Sequence, residues 1–88
     1  EPGFDLLVDA RGVDSAVLRR VVGTIPQVVD VRAVRSRSIA PEVLFAEVTI
    51  GVNGATTVEE AHHIADTVEE KIAKELGVSE VLVHVEPA

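Results

Sequence analysis

The chain predicts an α+β domain of element order α-β-β-α-β, with a three-stranded sheet that carries both helices on one face. Three observations lead there. Apolar residues recur at helical spacing in two separate stretches, Val17, Leu18, Val21, Val22 and Ile25, then Ala61, Ala65, Val68, Ile72 and Leu76. Stretches 28–37, 43–52 and 81–86 are rich in β-branched residues, and the last alternates strictly. With 88 residues there is room for one modest core.

Residues 1–12 are the least readable. Phe4, Leu6, Leu7 and Val8 suit a short strand or an ordered linker ahead of Arg11-Gly12. Asp14 is placed to cap the first helix, which Gly23 and Pro26 should stop. Val28 to Arg37 reads as a strand, followed by a turn through Ile39-Ala40-Pro41.

Val43 to Val52 is the second strand. Leu44, Ala46, Val48, Ile50 and Val52 form a core face, while Phe45, Glu47, Thr49 and Gly51 point the other way. Asn53-Gly54 breaks it. Thr57-Val58-Glu59-Glu60 has the pattern of a capping box and opens a helix to Leu76. Its predicted buried stripe is Val58, Ala61, Ala65, Val68, Ile72 and Leu76, with Gly77 as the C-terminal cap. In the final strand Val81, Val83 and Val85 face the core, and Leu82, His84 and Glu86 face away.

Composition narrows the function. The chain is 47% hydrophobic but 2% aromatic, so the core must be aliphatic. Fifteen acidic residues against eight basic ones give a formal charge of −7, which argues against a nucleic-acid partner and is compatible with cation binding. There is no cysteine, which excludes disulfides and thiolate metal ligation. No apolar run reaches the ~20 residues of a membrane span. The start at Glu1-Pro2-Gly3, without an initiating Met, reads as a piece of a longer protein. No Ser/His/Asp arrangement, phosphate-cradling glycine loop or isolated carboxylate pair is present, so an enzyme is not expected.

The chemistry-bearing residues gather on the sheet face that the helices leave open. His84 and Glu86 share that face about 7 Å apart, at ~3.4 Å per residue. Glu47 leaves the neighbouring strand on the same side. One imidazole and two carboxylates suit Zn, Mn or Fe(II), with further ligands needed from elsewhere. A surface His–Glu pair is the plainer alternative. His62 stands at the margin of the second helix's buried stripe, where its ring is as suited to a backbone contact as to a metal, and His63 faces solvent. Phe45 and Leu82 are apolar residues on the same open face, which implies a partner surface, most simply a second copy. Arg32, Arg35 and Arg37 form a basic cluster whose expected role is structural ion pairing.

Several runs together resemble a known family. Ile25-Pro26-Gln27-Val28, Val34-Arg35-Ser36-Arg37, Glu59-Glu60-Ala61-His62-His63-Ile64-Ala65-Asp66 and Val83-His84-Val85-Glu86-Pro87 occur in the order seen in the cytoplasmic C-terminal domain of cation diffusion facilitator transporters. Leu6-Leu7-Val8-Asp9-Ala10 is similar to the connector after the last membrane helix, which implies a linker over residues 1–12 and a domain over 13–88. The resemblance implies a ferredoxin-like, metallochaperone-like fold and a V-shaped homodimer beneath the protein's own transmembrane domain. It further implies regulation of proton-coupled divalent-cation efflux, from the cytoplasmic side of a membrane such as a bacterial inner membrane. Metal ligands carry over to His62, His84 and Glu86, and in some members to Glu47. Zinc-type members often have histidine where this chain has Arg32 and Thr49, which implies a sparser site. The alternative expectation is a ferredoxin-like dimerisation or ligand-binding module without metal control.

Overall fold

Asp14 begins the first helix by local chemistry: its Oδ1 accepts a hydrogen bond from the Ala16 N–H at 2.8 Å. The computed structural model describes residues 8–9 and 12–88, with side chains from residue 12 onward. Helix α1 runs Ser15–Gly23 and buries Val17, Leu18 and Val22. It ends at Thr24, whose hydroxyl donates back to the Val21 carbonyl at 2.7 Å. Ahead of it, β1 (Val8–Asp9) pairs antiparallel with β2 (Gly12–Val13). That pairing falls where the sequence suggests a strand or a linker; the expectations for Phe4, Leu6 and Leu7 lie outside the described residues.

Strands β3 (Asp30–Ala40), β4 (Val43–Val52) and β5 (Glu80–Pro87) form one sheet in the order β3-β4-β5. Pairing is antiparallel between β3 and β4 and parallel between β4 and β5. The parallel pair requires a long crossover, and helix α2 (Val58–Leu76) supplies it. Thr57 and Glu60 close the expected capping box, each side chain accepting from the other's backbone N–H at 3.1 and 3.0 Å respectively. Gly77 ends α2 at φ 68°, a left-handed conformation in which the absence of a Cβ removes the strain.

The core is aliphatic and centred on β4. Ala46, Val48 and Ile50 are wholly buried there, as are Leu18 and Val22 of α1 and Val68 and Ile72 of α2. Val81, Val83 and Val85 of β5 pack against this cluster. No polar or charged residue is buried among the described residues. The fold is the expected one: α+β and ferredoxin-like, with a three-stranded sheet and two helices.

Two local expectations are corrected. Val58 is 77% exposed, and the buried row of α2 is Ile64, Val68, Ile72 and Leu76. Val58 lies in the first turn, on the flank shared by Ala61 and Ala65, at the edge of the sheet rather than over its middle. The first strand is shifted too: it starts at Asp30 and runs to Ala40, so the turn is Pro41-Glu42. Two register irregularities, at Val31/Ala33 and Ser38/Ala40, interrupt the alternation that a pattern reading relies on.

The β1–β2 pair is docked onto β3 through Ser36. The Ser36 hydroxyl accepts from the Val13 N–H at 2.8 Å and donates to the Val13 carbonyl at 3.2 Å. Gly12 permits this approach. Its φ is +145°, and a Cβ there would stand 2.6 Å from Ser36 Oγ and 2.9 Å from the Ser36 carbonyl carbon. Gly23, by contrast, has open space around it. Gly12→Ala should therefore destabilise the domain by about 2 kcal/mol through strain at a special backbone position. Gly23→Ala should be neutral or stabilise by about 0.5 kcal/mol. Urea unfolding of both variants checks this; equal midpoints would mean that the β1–β2 pair is not seated on β3.

Candidate metal centre

Because β4 is central and its even residues are committed to the core, its odd residues must emerge on the uncovered face. Phe45, Glu47, Thr49 and Gly51 do so. The register places Arg37 of β3 opposite Phe45, Arg35 opposite Glu47, Ala33 opposite Thr49 and Asp30 opposite Gly51. On the other side, Leu82 lies opposite Glu47, His84 opposite Thr49 and Glu86 opposite Gly51.

Glu47 is the hub of this face. Its Oε2 lies 2.8 Å from His84 Nε2, a diagonal contact across the β4–β5 pair. Its Oε1 accepts from Arg35 Nε at 3.2 Å. The Glu47 side chain is 23% exposed, against 49% for His84 and 81% for Arg35. The hydrogen bond from His84, and secondarily the charge of Arg35, hold the Glu47 carboxyl below the usual carboxylate range, outweighing its partial desolvation.

Glu86 is engaged differently. Although two residues from His84 on the same strand face, it accepts from Arg32 Nη1 at 2.6 Å. Arg32 also donates to Asp30 Oδ2 at 3.3 Å and to the Pro87 carbonyl at 3.1 Å. The arginine cluster thus makes the expected ion pairs at Arg32 and Arg35, while the Arg37 guanidinium lies over the Phe45 ring, 5.8 Å from its centroid.

The two helix histidines lie elsewhere. His62 lines a shallow recess with Val58, Ala61, Ala65, Val83 and Val85, against the helix-covered side of β5. His84 leaves the same strand in the opposite direction, so one chain does not bring the two rings together. His63 lines a separate hollow with Gln27, Val29, Thr56 and Glu60. It is exposed, as its helix position predicts. Among the described residues no group of three or more His, Asp or Glu side chains is gathered to hold a metal ion.

Glu47 and His84 supply one hard oxygen and one imidazole nitrogen, a donor set that Zn, Mn and Fe(II) accept. Two ligands are half of the four that a tetrahedral zinc site takes. A complete site needs water or a second copy of the pair. Leu82, 46% exposed, and the half-buried Phe45 border the pair and leave an apolar margin on the same face.

The sequence leads one to expect ion pairing for Arg32 and Arg35 but does not name their partners. Counted back from a two-residue turn, Ser36 would stand opposite Glu47; the irregularity between Ser38 and Ala40 shifts the register by one and brings Arg35 there.

The Glu47–His84 contact has a checkable consequence. A carboxyl whose folded pKa is depressed adds stability that is full above its unfolded pKa and is lost as pH falls through the folded value. The ¹³C titration of Glu47 should have its midpoint below the ordinary 4.5. His84→Ala should move that midpoint upward, and Glu47→Gln should flatten the acid limb of the stability profile. A midpoint that ignores His84→Ala would remove the imidazole as the main cause.

Comparison with known proteins agrees with the fold. Residues 10–88 match the family described as the cytoplasmic domain of cation efflux proteins. A curated relative, the "Uncharacterized transporter YdbO" of Bacillus subtilis (strain 168), is 42% identical over 69 residues, 78% of this chain. The chain spans 23% of that relative's length in the match. Among solved structures, the cadmium form of a MamM CTD variant is 27% identical at a TM-score of 0.76, covering 84% of this chain and 96% of that one. A manganese form of another MamM CTD variant is 23% identical at a TM-score of 0.76, covering 83% and 92%. Nickel and zinc forms of the same domain superpose similarly, at TM-scores of 0.74. No helix among the described residues is long and apolar enough to cross a membrane. The chain belongs to the cation efflux family as its cytoplasmic domain, the C-terminal dimerisation domain of cation diffusion facilitator transporters.

Proposed function

We propose that this domain is the regulatory metal sensor and dimerisation module of a proton-coupled divalent-cation efflux transporter. The observation that carries the reading is the Glu47–His84 pair, held 2.8 Å apart on an uncovered sheet face. Its ligand is a divalent cation of the Zn, Mn or Fe(II) kind. Metal binding closes a V-shaped homodimer and thereby acts on the transmembrane domain of the same chain. Residues 1–12 serve as the connector from the last membrane helix and 13–88 as the regulatory domain, on the cytoplasmic side of a membrane such as a bacterial inner membrane.

Ligand number calls for a second copy. Each protomer offers Glu47 and His84, and a two-fold axis facing two such pairs would offer four ligands. Phe45 and Leu82 would provide apolar contact beside them. Homodimers of this type present the same patch twice, so each residue of the pair meets a copy of the patch. His62 and Glu86 are outer members of the proposed ligand set. Glu86 lies under the hold of Arg32, and His62 on the covered side of β5, so each would join through a second copy or after rearrangement.

A dimerisation module without metal control is the second reading. The engagement of Glu47, Glu86 and Asp30 by arginine favours it. The two separate cleanly in a melt. Under the metal reading, zinc or manganese at a hundredfold excess over Kd stabilises the domain by about 2.7 kcal/mol. His84→Ala should remove most of that gain, His63→Ala should leave it intact, and affinity should fall between pH 7.5 and 5.5 because a ligating imidazole must be neutral. A wild-type melt indifferent to both metals would decide for the second reading.

A further inference from the structure

One side chain spans the whole sheet at the end of the open face. Arg32 stands in the irregularity of β3 between the paired residues Val31 and Ala33. From there its guanidinium passes over the central strand to β5, donating to Glu86 Oε1 at 2.6 Å and to the Pro87 carbonyl at 3.1 Å. Its Nε donates to Asp30 Oδ2 at 3.3 Å. The β4 residue beneath it is Gly51, where a Cβ would make ordinary contact with Arg32 Nε and Ala88, each at 3.4 Å.

The bulge that launches Arg32 is itself fixed from the helix layer. Arg19 of α1 donates to the Val31 carbonyl at 2.6 Å and to the Arg32 carbonyl at 3.4 Å. The Arg32 side chain is 37% exposed, less than the 54% and 48% of the two carboxylates it holds. A forked donor with three partners on two strands loses less freedom per contact than a single surface ion pair.

This arrangement has a chemical consequence for the neighbouring pair. The guanidinium holds the Glu86 carboxylate through Oε1, and Glu86, the next residue after His84 on the same face of β5, is not gathered with Glu47 and His84 into a three-ligand group. We infer that Arg32 acts as a resident cation that sets metal affinity by holding Glu86 out of the Glu47–His84 centre. The inference rests on the reading of that pair as the metal site. With Arg32 in place, each protomer offers two ligands. Once Arg32 is displaced or replaced, Glu86 becomes available as a third.

Removing any positive charge from this face would favour cations somewhat, so the test must separate release of Glu86 from a general field effect. Zinc affinity is measured by calorimetry for wild type, Arg32→Met, Arg32→Met in a Glu86→Gln background, and Arg37→Met, with circular dichroism to verify folding. Arg37 serves as the charge control because it lies over Phe45. Arg32→Met should tighten zinc binding by about fivefold or more, the upper range of an exposed ion pair. The same change in the Glu86→Gln background, and Arg37→Met alone, should each alter affinity less than about twofold.

An unchanged or weakened affinity in Arg32→Met overturns the inference, as does a gain that persists without Glu86. If Arg32→Met does not fold, Arg32→Lys keeps the charge but loses the fork; it should show a smaller gain, and wild-type affinity there overturns the inference. Wild type that binds zinc while Arg32→Met matches it leaves the metal reading standing. Absence of both zinc and manganese binding in the two proteins overturns the metal reading and this inference with it. Binding in Arg32→Met alone supports the hold of Arg32 on Glu86 and overturns metal sensing by the wild-type domain.

Discussion

A three-stranded sheet with helices on one side forces its central strand to serve two different environments, and β4 is that strand. Its even residues lie between α1, α2 and the sheet, with Ala46, Val48 and Ile50 wholly buried. Its odd residues have no layer above them. Everything on the open face follows from that alternation: a carboxylate at position 47 meets arginine on one neighbour and histidine on the other, and beyond it Arg32 crosses over Gly51 to Glu86. A one-residue slip of β4 would put Glu47 into an aliphatic core that has nothing to pair with it.

The open face therefore carries two rows of charge. In one, Glu47 lies between Arg35 and His84; in the other, Arg32 bridges Asp30 and Glu86. Such exposed pairs add little to stability, about 1 kcal/mol at most. Their value is positional. They hold carboxylate oxygens and an imidazole at set places on a rigid scaffold, which is the preparation a ligand site requires. The surface margin of Phe45 and Leu82 gives the same face the apolar contact that association would use.

Much of this was legible from residue pattern. The period-two alternation of Val43–Val52 and Val81–Glu86 placed Glu47, His84 and Glu86 on one face, and Thr57 with Glu60 marked the start of α2. What pattern could not supply was register and partner choice. Bulges at Arg32 and Ile39 break the count along β3, so the pairing of Arg35 with Glu47 and of Arg32 with Glu86 emerges only when the strands are laid side by side. Val58 illustrates the other limit: helical periodicity gives a stripe, but which part of it the sheet covers depends on where the strands end. That offset also sets His62 over Val83 and Val85 instead of beside His84.

If two copies meet around metal at the open sheet face, the distance between them must respond to zinc. The chain contains no cysteine, so Glu70→Cys on the exposed side of α2 offers a single site for a spin label. Pulsed dipolar spectroscopy on labelled protein would then read the distance between the two copies directly. The expected result is a measurable inter-copy distance whose distribution narrows and shortens on adding zinc, with the change abolished by His84→Ala. A zinc-bound dimer whose distance distribution is the same as without metal, or a chain that stays monomeric with zinc bound, would contradict it.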